Sequence, residues 1–456
     1  MRLSDLAGRA VAIWGTGREG ISAAHAVAAL APSSLIAVDE NPARDADSWR
    51  EASGGSVPLH VGPGVLSVLL DAQVVVKSPG VPRVHPWLIA LSERGVQITS
   101  GTALWMADHA DHTIAVTGTK GKSTTSALIH HLLVGLGRDV NFAGNIGAPL
   151  LGTAEAALHV VELSSQQCQS LETSPRWAVL TSLFPEHLDW HGSERQYYQD
   201  KLNLLAHTPH SVVINALDAR LVCNVETVQP PVAVTKAGLE DAFHIGKGPG
   251  GAAYFQCGQT PLFPRETLSL LGQHNAGNLC VALTLLDELG IDCVQEKDRI
   301  ASVVRTFSGL AHRLQQIPDP IEQLIFINDS LSTAPQSAIA ALESFDSHPV
   351  TLIVGGTDRG LDYRVLRDYL ADTRTAPITV LAIPDSGPRI AAELRKIPNL
   401  NIEVMGDLSE AVARARVLTP PGGIVLLSPA APSYGQFADY AHRGEVFARA
   451  VHDSAR

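Results

Sequence analysis

The sequence predicts an α/β protein of three domains: a Rossmann-like N-terminal domain, a central P-loop ATPase-like domain on a parallel sheet, and a Rossmann-like C-terminal domain. Three observations carry this. The chain has 456 residues, and domains of about 150 residues make that about three. Short aliphatic or β-branched runs alternate with longer helical patterns, the signature of parallel α/β layers. Two glycine-rich loops each follow such a run and open a helix.

The elements follow in order. Residues 10–14, 34–38 and 73–76 read as buried strands of the first domain, residues 1–110. A run at 112–116 opens the second domain, 111–311, with further strands at 156–163, 177–183 and 211–215. Within it, Gly246 to Gly251 (GKGPGG) reads as a flexible turn. The third domain, 312–456, holds runs at 323–328, 350–354, 378–382 and 423–427.

Composition narrows the function. Hydrophobic residues are 45% and charged residues 18% of the chain, which supports packed cores rather than disorder. A net charge of −12 disfavours nucleic acid as a partner, since backbone phosphates repel it. It leaves room for a phosphorylated small molecule held by a few N–H groups and lysines. The five cysteines show no CxxC pair, which fits a reducing compartment. No apolar run reaches the length of a membrane span, and no signal-type h-region precedes the first strand. The expected setting is the cytoplasm, without membrane insertion.

The first glycine loop is Gly15-Thr16-Gly17-Arg18-Glu19-Gly20, with Asp39 at the end of the next strand. Its glycines let backbone N–H groups approach a phosphate at a helix N-terminus. Three readings stay open on these residues: NAD binding, as in a dehydrogenase; another nucleotide such as a UDP-sugar; or a tight turn without a ligand.

The second loop is Gly118-Thr119-Lys120-Gly121-Lys122-Ser123-Thr124, a shortened P-loop with Val116 where the strict spacing needs glycine. Such a loop cradles phosphates with its amides, reaches them with its lysine and offers a hydroxyl to Mg²⁺. This predicts nucleoside triphosphate binding, and a dehydrogenase would have no use for it. Glu162 ends one following strand and His187 follows another, so both are placed to bind Mg²⁺ beside the loop. Asp189 and His191 are as well explained by the turn they sit in. Lys201 on its own reads as a solvated helix lysine. Asn278 near a helix start, Arg313 at the second boundary and Asp329 after a strand are placed for nucleotide contact.

In order, these residues resemble the Mur ligases, ATP-dependent amide-forming enzymes of peptidoglycan precursor synthesis. The motifs are TGTKGKST, GNIG, VELSS, EHLDWHG, DKLNLL, GQHNAGN, AHR, INDS and LLSPAAPSYGQF, spread from the phosphate loop to the last helix. GTGREG and VKSPGV, with GNIG, INDS and the SPA segment, are most similar to the MurD branch. That branch adds glutamate to UDP-N-acetylmuramoyl-L-alanine, and the chain is expected to be a monomer. The resemblance implies ATP at Gly118 to Thr124, with Asn278, Arg313 and Asp329 also on the nucleotide. It implies Mg²⁺ at Ser123, Glu162, His187 and a carbamylated Lys201, with Lys122 acting in catalysis. It further implies the UDP-substrate at Arg18, Glu19, Asp39, Glu40, Ser78, Gly80, Asn145, Ser165 and Gln167, so that the first loop holds UDP rather than NAD.

Departures from that branch cluster in the third domain. Leu331 and Ala334 replace the lysine and asparagine expected after INDS, and Arg359 replaces a lysine. Tyr434 follows the segment Ser428 to Ser433. Elsewhere Gln166 replaces an aromatic residue, and Ser182 and Glu186 replace Asn and Asp. Lysine and arginine hold carboxylates in different geometries, so the amino-acid anchors are rearranged. The expectation is an L-glutamate-adding enzyme, with glutamate at Thr333, Arg359, Ser433, Tyr434 and Tyr440; the D-glutamate ligase is the alternative.

Overall fold

The computed structural model describes residues 1–55, 57–270, 272–372 and 376–455, and the Asp189 side chain also lies outside the described atoms. Met1–Ser269 and Gln273–Phe307 form one compact unit, and Ser308–Arg456 belong to a second. The first unit contains the sheets of both predicted N-terminal and central domains.

The first sheet comprises β1 (Ala10–Trp14), β2 (Ser34–Asp39), β3 (Leu59–Val61), β4 (Val74–Lys77) and β5 (Gln97–Thr99), in the order β3-β2-β1-β4-β5. All four pairings are parallel. Helix Arg18–Ala28 leaves β1 through the first glycine loop. Its buried Ala23, Ala24 and Val27 share a core with Val11, Ile13 and Val74. Small residues on that face let the helix lie close to the sheet.

The second sheet comprises β6 (Thr113–Thr117), β7 (Val140–Gly144), β8 (Leu158–Glu162), β9 (Trp177–Leu180), β10 (Ser211–Asn215) and β11 (Thr235–Ala237). It is parallel, in the order β11-β10-β9-β6-β8-β7. Every residue of β6 is buried, as expected for a strand covered on both faces. Because β6 lies between β8 and β9, the segments leaving all three strands emerge side by side. Leu163 N donates to Val116 O at 2.9 Å and Thr181 N to Thr117 O at 3.0 Å. This edge carries the phosphate loop, Glu162 and the turn to His187.

An antiparallel sheet of β12 (Phe243–Lys247), β13 (Ala253–Cys257) and β14 (Thr260–Pro264) follows. This corrects the reading of 246–251 as wholly turn. Gly246 and Lys247 belong to β12 and pair with Tyr254 and Ala253, leaving Gly248 to Ala252 to reverse the chain.

The second unit holds β15 (Gln315–Ile317), β16 (Ile325–Asn328), β17 (Val350–Val354), β18 (Ile378–Ala382), β19 (Asn401–Val404) and β20 (Ile424–Leu427), in the order β15-β16-β20-β17-β18-β19. Only β15 runs antiparallel to its neighbour. No helix among the described residues is long and apolar enough to cross a membrane.

Candidate active site

The phosphate loop is shaped by two glycines. Gly118 has φ +148°, and a Cβ there would strike Thr181 Oγ1 and lie 2.9 Å from Ser182 N. Gly121, at φ +84°, starts helix Lys122–Gly135, and its Cβ would come within 2.7 Å of Asn278 Oδ1. Asn278, implied to touch nucleotide, therefore stands directly against the loop. Cross-braces hold the loop to the segment after β9. Thr119 N donates to Ser182 O at 2.8 Å, and Lys120 N to Ser182 Oγ at 2.9 Å. Lys120 Nζ pairs with Glu186 at 2.8 Å, and Lys122 Nζ donates to Thr119 O at 2.9 Å. Ser123 is buried and Thr124 half-buried at the first turn of the helix.

Lys201 overturns its reading as a solvated side chain. It is 1% exposed, and its Nζ donates to Gly118 O at 2.8 Å while lying 5.2 Å from the centre of the Tyr197 ring. Burial, reinforced by the Lys122 charge, lowers its pKa to about 7. The signal was present in the sequence: Tyr197, Tyr198, Lys201 and Leu202 recur at helical spacing, and all are buried.

Glu162 is buried at the end of β8. Its Oε1 accepts from Asn145 Nδ2 at 3.0 Å, whereas its buried Oε2 has no hydrogen-bond partner. A buried carboxylate oxygen left bare is costly unless a cation completes it, so this position fits a metal ion. His187 has a left-handed φ of 53° and a side chain 53% exposed, 3.9 Å from Glu186 Oε2. A cavity of about 380 Å³ gathers Lys122, Asn145, Ser165, His187 and Lys201 in its wall. Glu162 reaches that wall through Asn145.

A second cavity, about 570 Å³, lies on the first glycine loop. Gly15 has φ +105° and a Cβ there would stand 2.6 Å from Ser78 Oγ; a Cβ on Gly20 would strike Gly15 O. Arg18, Glu19, Asp39, Glu40, Ser78, Gly80 and Asn145 all line this cavity. Asp39 Oδ2 accepts from Thr16 N at 3.1 Å and Thr16 Oγ1 at 2.6 Å. Burial works against it, yet these bonds and Arg44 hold the Asp39 carboxyl below its usual pKa. Glu40 accepts from Trp14 Nε1 at 3.2 Å and meets His85 Nε2 at 3.1 Å. Pro79, Gly80 and Asn145 line both cavities, which therefore adjoin one another at these residues. Gln167 is buried beside them, and its Nε2 donates to Glu19 Oε1 at 2.6 Å.

In the second unit, Asp329 is buried and receives Ser332 Oγ at 2.5 Å, Ser428 Oγ at 2.8 Å and Leu314 N at 3.2 Å. Burial still pushes its carboxyl up to about 6. Arg313 is half-buried at the same end of the sheet. The Arg359 guanidinium lies 5.5 Å from the centre of the exposed Tyr434 ring, and Thr357 Oγ1 donates to Tyr434 O. Ser433 is buried, Thr333 exposed, and Tyr440 opens the last helix, Tyr440–Asp453. Sequence reasoning missed Arg443, which is fully buried. Its Nη2 donates to Ser330 O at 2.8 Å and its Nη1 to Ala431 O at 3.0 Å, tying the segments after β16 and β20 together. Its signal was its place on the stripe shared with Phe447, Ala450 and Val451.

Residues 116–286 match the model of the Mur ligase middle domain. A UDP-N-acetylmuramoyl-L-alanine–L-glutamate ligase from Micromonospora sp. is 54% identical, over 100% of this chain and 99% of that protein. A ligase of the same name from Xanthomonas oryzae pv. oryzae is 37% identical, over 98% and 96% respectively. Among solved structures, the MurF ligase from Thermotoga maritima in complex with ADP shares the fold, with a TM-score of 0.56, 15% identity, and coverage of 92% of this chain and 95% of that one. With both glycine loops, the intervening cavities and relatives matched end to end, the chain belongs to the Mur ligase family.

Proposed function

We propose that this enzyme joins L-glutamate to UDP-N-acetylmuramoyl-L-alanine with cleavage of ATP to ADP and phosphate. The observation that carries this is that the two cavities adjoin at Pro79, Gly80 and Asn145. A long nucleotide-linked substrate laid along them would have its uridine diphosphate on the first glycine loop and its alanyl carboxylate beside the second. Residues 1–110 thus serve the UDP end, 111–311 ATP and the metal, and 312–456 the amino acid. A nucleotide-linked substrate and ATP place the reaction in the cytoplasm, and we expect a monomer.

The chemistry follows from the weakness of a carboxylate as an electrophile. An alanyl carboxylate oxygen attacks the γ-phosphorus of ATP, and ADP leaves, giving an acyl phosphate. The glutamate nitrogen then attacks the acyl carbon; phosphate leaves and the nitrogen loses its proton to form the amide. Lys122 and Lys120 are placed to neutralise the transferring phosphate, with Asn278 against the loop that holds it. Glu162, Ser123, His187 and a carbamylated Lys201 would hold Mg²⁺, which supplies charge neutralisation between carboxylate and phosphates. A lysine with its pKa near 7 keeps a neutral amine available to add CO₂, releasing one proton and leaving a carboxylate-bearing carbamate. Arg359 and Tyr434, with Thr333, Ser433 and Tyr440, are our candidates for the glutamate site, and Arg313 and Asp329 for nucleotide.

Phosphate release with UDP-N-acetylmuramoyl-L-alanine and ATP, measured with each glutamate enantiomer separately, tests the proposal. Turnover with L-glutamate is expected. Turnover with D-glutamate alone would replace it by the D-specific reading, and none with either would remove the substrate assignment.

A further inference from the structure

Behind Ser165, which the resemblance puts on the UDP-substrate, runs a polar chain of residues that none of the roles above uses. Ser165 Oγ lies 2.9 Å from His191 Nε2, and His191 Nδ1 lies 2.7 Å from Asp200 Oδ2. Asp200 Oδ1 accepts from Arg83 Nη1 and from Gln196 Nε2, each at 2.8 Å. The His191 side chain is 0% exposed and that of Asp200 2%. Trp190 and Tyr197 pack on the imidazole with ring centres 4.5 and 5.1 Å away. The serine end of the chain lines the cavity whose wall also holds Lys122, His187 and Lys201, while the Arg83 end is half exposed.

The direction of each bond follows from its chemistry. Asp200 already accepts from Arg83 and Gln196 at Oδ1, and its Oδ2 stands as the acceptor opposite His191 Nδ1, which carries the ring hydrogen toward it. Burial lowers the His191 pKa against the pull of Asp200, which leaves the ring neutral near pH 7. Nε2 is then a bare lone pair, and Ser165 must turn its single hydrogen onto it. Gln166 Oε1 at 3.2 Å competes for the same hydrogen; turning the amide over gives that contact an N–H donor instead. Toward the cavity Ser165 then shows lone pairs alone. A hydroxyl able to donate there would bond the alanyl carboxylate and blunt it as a nucleophile. An acceptor repels that carboxylate and suits the amide N–H that links alanine to the muramyl group.

We propose that His191, fixed by Asp200, is a positioning residue that keeps Ser165 an obligate hydrogen-bond acceptor for the alanyl amide N–H of the acyl substrate. This rests on the substrate assigned under Proposed function. The whole enzyme is assayed with UDP-N-acetylmuramoyl-L-alanine and with its ester analogue, in which lactate replaces alanine and the N–H is gone. The unaltered enzyme is expected to favour the amide by about tenfold in KM. Ser165→Ala and His191→Phe should each lose that preference, with KM for ATP held within about twofold, and the double variant should lose no more than either single one. His191→Gln, whose carbonyl can accept the serine hydrogen, should recover most of it. Thermal unfolding of each variant checks the fold, and Ser165→Ala alone suffices if His191→Phe does not fold. Equal discrimination by Ser165→Ala and the unaltered enzyme, or multiplying losses in the double variant, would overturn the proposal. Absence of turnover by the unaltered enzyme on the amide would instead overturn the substrate assignment.

Discussion

Lys201 Nζ donates to Gly118 O at 2.8 Å, so a buried amine closes against the first carbonyl of the phosphate loop. The unfolded lysine binds its proton below 10.5, the folded one only near 7. Between those values unfolding takes up a proton, so in the uncarbamylated enzyme stability falls as pH drops from 10.5 toward 7 and this contribution is constant below. Lys201→Met is expected to raise the unfolding temperature by several degrees at pH 7 and to lower activity about a hundredfold or more. Calorimetry and phosphate release measure the two effects, and ¹³C-bicarbonate labelling should mark the unaltered enzyme but not the variant.

Gly118→Ala adds a methyl group against Thr181 Oγ1 at a backbone angle that suits glycine. The loop must then shift away from the segment after β9. Stability is expected to fall by about 1–3 kcal/mol, and ATP affinity by tenfold or more. Denaturant unfolding and titration calorimetry with ATP measure the two losses, and unchanged ATP binding would count against the loop as the triphosphate site.

Asp329 behaves oppositely to an ion-paired carboxylate. Its pKa, raised from 3.8 to about 6, means the folded state takes up a proton first as pH falls. Its burial penalty is therefore present at pH 7 and fades between pH 6 and 3.8. Asp329→Asn should leave the second unit at least as stable as the parent at pH 7, with the difference narrowing toward pH 5. Melting curves across that range give the sign directly. A variant markedly less stable at pH 7 would show that the serine hydroxyls outweigh burial.

Arg443→Lys retains charge but loses the planar fork that reaches Ser330 O and Ala431 O together. The expected outcome is a KM for glutamate raised about tenfold, with KM for ATP and the UDP-substrate little changed. Separate saturation curves for the three substrates make the comparison. An equal rise in all three would mean general loosening instead.

Much of this fold was legible because its central strands are continuous apolar runs, as in VVVK of β4, TIAVT of β6 and VTLIV of β17. The missed strands have a physical reason. β3, β5, β11 and β15 are three residues long, and together with β7 and β19, also missed, they lie at sheet edges, where little burial is required of their side chains. The antiparallel sheet of β12 to β14 was hidden by its own composition, since Gly246 sits inside a strand where a Cβ would crowd Gln256. At the site, glycine spacing and strand ends pointed to the two loops, Glu162 and His187. Lys201, Arg443 and His191 were harder to place, because each is a polar residue buried by neighbours distant in sequence. For Lys201 and Arg443, helical spacing against buried apolar residues is the trace they leave.

The wall shared by the two cavities also bears on inhibitor design. Small fragments selected separately for the first glycine loop and for the phosphate-loop side would face each other across Pro79, Gly80 and Asn145. A short tether passing those residues would make the second capture intramolecular, at an effective concentration of about a millimolar. Two weak heads could thus yield one tight compound, and its reach, more than either head, would set its selectivity.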